Sequence, residues 1–139
     1  MILIAALDNS NGLLFNQRRQ SQDRLLRQRI LALIGPEKLF LNEYSADLFA
    51  TEAKPEQLHI SEHFLTEAGQ GQYCLVENVS VQAYEDKVEK IIIFRWNRDY
   101  PADFYFDIDL QQNWQLESSA DFVGSSHDKI TEERYIRKG

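Results

Sequence analysis

The chain opens on an unbroken apolar run, MILIAAL, the pattern of a central strand buried on both faces. DNSNG stops it with turn chemistry. Leu25, Leu26, Ile30, Leu33 and Ile34 then recur at helical spacing with arginines between them. That predicts an amphipathic helix, with Ser21 as its N-cap and Gly35-Pro36 as its stop. KLFLN reads as a second strand, Ser45 as the cap of a short helix reaching Phe49, and QLHI as a weak strand. Ser61 is positioned to cap a helix to Ala68, QYCLV is a strand, and a short helix over Val81 to Val88 leads to the strand KIIIFRW. Two late strands, near Trp114 to Val123 and Lys129 to Arg137, are joined by the turn GSSHD. Strands alternate with helices first and then run together. The expected architecture is α/β, with a mostly parallel central sheet, antiparallel C-terminal edge strands and flanking helices.

Length and composition narrow the function. A chain of 139 residues, 43% hydrophobic and 27% charged, fits one folded domain over 1–139 with no long disordered tail. A net charge of −7 argues against nucleic acid and against an anionic membrane surface as partners. Arg18, Arg19, Arg24, Arg27 and Arg29 form a local basic run, expected to be the solvated face of a helix. The single cysteine, Cys74, lies in an apolar strand pattern and is expected to be a small core residue. One cysteine cannot staple the chain, so a cytoplasmic setting is expected. No apolar run approaches the roughly 18 residues of a membrane span, and MILIAALD lacks the basic leader of a signal peptide.

The segment from Tyr84 to Gly139 resembles the last strands of the dihydrofolate reductase family. Within it, ADFYFD resembles the family's Gly-Asp-x-x-Phe-Pro segment, with Asp103 and Phe106 matching and Ala102 and Asp107 departing. Trp114 stands where a strand-opening Trp occurs, ERYIRKG resembles the final strand, and MILIAALDNSNG resembles the first strand and its loop. The resemblance implies a dihydrofolate-reductase-like fold and makes Asp23 the match of the active-site acid. It also implies a cleft near Ala5, Asp23, Leu26, Phe49 and Phe94.

The departures bear on function. In the family's first loop, Gly12 remains, but Leu14 replaces the second glycine and Pro-Trp is absent. The family's phosphate-holding Gly-Arg-x-Thr is matched by Asn42-Glu43-Tyr44-Ser45, with Glu43 in the place of the arginine. A like charge at 4 Å repels by about 1 kcal/mol in water and about 4 at an intermediate dielectric. The next strand, with its Arg/Ser pair for the ribose phosphate, has no room in TEAKPEQL. The glycine pair that lets a pyrophosphate approach is replaced within Glu77, Asn78, Val79, Ser80 and Val81. Phe94 replaces the threonine that orients the acid, which leaves Asp23 without its partner. No cofactor is therefore expected, and Asp23→Asn is expected to leave folding intact.

Two readings of function follow. The first is a divergent member without NADPH-dependent reductase activity, which binds a small planar ligand or pairs with itself. The second is a reductase-like enzyme on a pterin or other flat heterocycle, with Asp23 as proton donor and NADPH as cofactor. No metal is expected. HISEH spells His59-x-x-Glu62-His63, but Ser61 as N-cap separates the two histidines, and His127 is expected to be solvated in its turn. Among the aromatic residues Phe94 and Phe106 are assigned to core, while Trp96 and Tyr100 are left open between core, pocket and dimer contact.

Overall fold

A computed structural model describes all residues, 1–139. A seven-stranded sheet runs in the order β5-β4-β6-β1-β7-β10-β9. Its strands are β1 (Ile2–Leu7), β4 (Leu39–Leu41), β5 (Leu58–Ile60), β6 (Tyr73–Leu75), β7 (Lys90–Arg95), β9 (Trp114–Phe122) and β10 (Ile130–Arg137). The five strands from β5 to β7 are parallel, and β10 and β9 add on antiparallel. The fold class expected from the order of elements is the one observed. β1 is apolar throughout because β6 and β7 flank it and both its faces are covered.

Alternation along β1 splits the core into two layers. Leu3, Ala5 and Leu7 point into one layer, with Cys74, Val76, Ile91 and Ile93. Ile4 points into the other, with Leu75, Ile92, Phe94 and Trp96, and Ala6 packs on its margin. That second layer is closed by α1 (Arg24–Ile34) through Leu26, Ile30 and Ile34. Eleven residues are too few for a helix to persist in water on propensity alone. Three buried aliphatic side chains at about 1.5–3 kcal/mol each are what hold it to the sheet.

Several local expectations are corrected. The N-cap of α1 is Asp23, not Ser21. α2 (Glu43–Leu48) is capped by Asn42 rather than Ser45, so Glu43 and Ser45 lie inside its first turn. α3 is a single turn, Phe64–Glu67, preceded by His63 rather than Ser61. The segment Gln82–Lys87 is a 3₁₀ helix. A small sheet of β2 (Gly12–Phe15), β3 (Arg18–Arg19) and β8 (Phe104–Tyr105) was not foreseen. The arginine run is not a uniformly solvated helix face. Arg19 pairs with Glu77, Arg27 with Glu52 and Arg29 with Glu132, all within 3 Å. Cys74 is fully buried as expected, and burial pushes its thiol up to about 12.

Candidate functional site

Asp23 sits at the N-terminus of α1 and is 2% exposed. Its Oδ1 accepts from the backbone N–H of Leu26 (3.1 Å) and Ser125 (2.9 Å) and from Ser125 Oγ (3.2 Å). Its Oδ2 accepts from the N–H of Ser126 (2.8 Å) and from His127 Nδ1 (2.8 Å). Burial alone would raise the pKa of this carboxyl. The hydrogen bond from His127, followed by those from Ser125, Ser126 and Leu26, outweighs burial and holds it well below the usual carboxylate range. Asp23 is therefore not left without an orienting partner by Phe94. Apart from the Leu26 N–H, its partners come from the turn between β9 and β10, and Phe94 instead packs edge-to-face on Phe122.

The same turn carries a second surprise. His127 is not solvated: it is 9% exposed and its ring stacks on Trp96 at 4.6 Å between centroids. An ionised Asp23 must receive a proton from Nδ1, so in the neutral ring Nε2 keeps its lone pair. Ser21 Oγ lies 2.8 Å from that Nε2 and donates to it. Gly124 allows the turn to close this tightly, since a Cβ there would run into Asp23 Oδ2 and lie 2.8 Å from its Cγ. Ser21 and His127 are 106 positions apart. Nothing in the local pattern of QRRQS or GSSHD announced the contact.

Between α1, α2 and the sheet lies a cavity of about 40 Å³. Leu26, Ile30, Phe49, Leu75 and Trp96 form much of its apolar wall, and Ala6 faces it rather than Ala5. Of the predicted cleft residues, Asp23, Leu26 and Phe49 line it, while Ala5 and Phe94 are core. Its polar rim holds Arg19, Gln20, Ser21 and Glu77. Two buried polar atoms on lining residues lack partners: Gln20 Oε1 and Arg27 Nε. The amide nitrogen of Gln20 donates to Asp8 Oδ2 (2.9 Å) and to the Pro101 carbonyl (3.2 Å). That fixes which end of the amide is the unpaired acceptor.

The positions matched to phosphate-holding motifs lie farther along the rim, at α2 and the turn after β6. There several donors are used by the chain's own carboxylates and asparagine side chains. The Glu43 N–H donates to Glu62 Oε2 (3.0 Å) and Ser45 Oγ to Glu77 Oε1 (2.8 Å). The Ser45 N–H donates to Asn42 Oδ1 (3.1 Å), and Asn42 Nδ2 donates to Asn78 Oδ1 (2.8 Å). Glu77 also takes a two-pronged contact from Arg19, whose guanidinium lies over the Tyr44 ring. In the turn, Ser80 Oγ, Val81 N and Gln82 N all donate to Asp107. Val79 packs against the core layer opposite α1.

The residues of HISEH do not converge: His59 pairs with Glu67 at 2.8 Å, while Glu62 caps α2. No group of three or more His, Cys, Asp or Glu side chains is arranged to hold a metal ion. No helix is long and apolar enough to cross a membrane.

Compared by sequence, the chain matches no protein-family model and no curated protein. Compared by structure, it is similar to a dihydrofolate reductase from Enterococcus faecalis complexed with NADP(H) and RAB-propyl. The match has a TM-score of 0.69 at 11% sequence identity and covers 100% of this chain and 97% of the other. The strand order, the helix packed on the parallel strands and this full-length match agree: the chain has a dihydrofolate-reductase-like fold.

Proposed function

We propose that this protein uses the dihydrofolate-reductase-like fold without a nicotinamide cofactor, and that its cleft serves a ligand of only a few atoms. The observation that carries the reading is the occupation of the rim by internal carboxylates. At the positions that the resemblance assigns to cofactor phosphates, Glu62 takes the Glu43 N–H, Glu77 the Ser45 hydroxyl and Asp107 the Val81 N–H. A dinucleotide would have to displace them and then sit among their charges. Each like-charge contact near 4 Å would cost about 4 kcal/mol at an intermediate dielectric. The residues present do not fit the group.

Cavity size supports the second half. Sites for drug-sized ligands enclose about 300–1,000 Å³, against about 40 Å³ here. A fused heterocycle does not fit inside this enclosed space. Against Asp23 as a proton donor stands its saturated, ionised carboxylate, which accepts five hydrogen bonds and carries no proton at neutral pH.

A spectrophotometric assay combined with thermal shift tests the reading. Dihydrofolate or biopterin with NADPH should give no turnover, and neither should raise the melting point. A saturable melting-point rise with NADPH, or turnover abolished by Asp23→Asn, would contradict it.

A further inference from the structure

We propose that Ser21, His127 and Asp23 form a nucleophilic triad that cleaves small acyl esters at the mouth of the cavity. The proposal rests on the cofactor-free reading of the same cleft. The geometry is a relay of two contacts, Ser21 Oγ to His127 Nε2 and His127 Nδ1 to Asp23 Oδ2, each 2.8 Å. A serine nucleophile needs a base within hydrogen-bond reach and a third group that fixes the base's tautomer and orientation. Here the base is fixed twice, by the buried carboxylate and by the stack on Trp96. Ser21 itself is half-buried and lines the cavity.

Unpaired polar groups also lie close to this cavity. Gln20 Oε1 and Arg27 Nε are buried, without partners, on residues lining this cavity. One is an acceptor and the other a donor, and both lie beneath the cavity wall. The backbone N–H groups of Gln22 and Asp23 also make no hydrogen bond within the chain. With the N–H of Ser21 itself they are the unpaired backbone donors beside the nucleophile in the chain. The apolar wall and the volume of about 40 Å³ limit the enclosed part to an acetyl- or propionyl-sized group.

The chemistry balances with water as the only co-reactant. Ser21 Oγ adds to the ester carbonyl carbon and its proton passes to His127 Nε2. The bond from carbonyl carbon to alcohol oxygen breaks, and the departing alkoxide takes that proton. Water then attacks the acyl-serine and gives a proton to Nε2. The acyl–Oγ bond breaks, Ser21 recovers the proton, and the carboxylic acid leaves. No redox change occurs.

The test uses the full-length protein with p-nitrophenyl acetate and an alkyl fluorophosphonate. The expected result is a burst of about one nitrophenolate per chain, with both reagents mapping to Ser21 by peptide mass spectrometry. Ser21→Ala should lose burst and adduct completely while keeping the wild-type circular dichroism spectrum. His127→Gln should lower labelling of Ser21 at least tenfold, and exogenous imidazole should restore part of it. A folded wild-type protein that stays unlabelled at Ser21 and hydrolyses the ester no faster than Ser21→Ala would overturn the proposal. That failure would leave the cofactor-free reading standing, since NADPH binding or NADPH-dependent turnover, not ester inertness, sinks the latter.

Discussion

Asp23 illustrates how one side chain can be found in a sequence and still be misjudged. Its position before an amphipathic helix marks it as a helix-terminal acid, and the resemblance singles it out as a site residue. Its five hydrogen bonds change what mutation should do. Asn in its place would turn an NH₂ group toward at least one of the donors it now accepts from. A lost charge-assisted contact in a buried site costs about 2 kcal/mol or more. Asp23→Asn should therefore lower stability measurably in urea denaturation, contrary to the expectation from sequence. The sign of the pH dependence follows from the depressed carboxyl. The unfolded chain takes up a proton near pH 3.9, whereas folded Asp23 stays ionised well below that. Stability from this group is fully present above about pH 4 and falls as pH drops further. Glu52 and Glu132, each bonded to arginine, act in the same direction. The wild-type melting temperature should fall on acidification below about pH 4, less steeply in Asp23→Asn. Gly124→Ala should destabilise by about 1–3 kcal/mol, because the pinned Asp23 carboxylate cannot move aside for the new Cβ.

At the scale of elements, apolar runs and periodicity were enough to place the strands of the large sheet and α1. Caps were less legible, because Ser21, Asp23, Asn42 and Ser45 are all good capping residues and only geometry chooses among them. The small sheet escaped notice for a different reason. Its β2–β3 turn uses Asn16 and Gln17, both at positive φ, without the glycine that ordinarily signals such a hairpin. Asp107, visible in the sequence only as a departure from the family's pattern, caps the turn at Ser80–Gln82. The paired variant Val79→Gly with Ser80→Gly should therefore gain no nucleotide affinity by calorimetry, since Asp107 and Glu43 both remain. Tight NADPH binding by that variant would show that bulk rather than charge had closed the rim. Glu77→Ala should be destabilising, because it strips partners from Arg19 and Ser45 together. Pairs of this half-buried kind cost several tenths of a kcal/mol to about 3 when one side is removed.

For the whole molecule, the alternation of strands and helices followed by two consecutive strands was sufficient to give the fold class. It could not reveal that the last hairpin would bring its turn back onto the first helix, because that contact spans more than a hundred residues. The sheet's two free edges are poorly suited to pairing. β5 has three residues, and β9 carries Glu117 and Asp121 and meets β10 with a register shift at Arg134/Tyr135. With a net charge of −7, a monomer is expected by light scattering at micromolar concentration, rather than a dimer built on strand addition.

The most direct measurement is a calorimetric titration of NADPH into the wild-type protein near neutral pH and low salt. The expected result is no saturable heat up to millimolar nucleotide, because Glu62, Glu77 and Asp107 already hold donors along this rim and set negative charge where the phosphates would sit. Stoichiometric binding with a micromolar or tighter dissociation constant would contradict this.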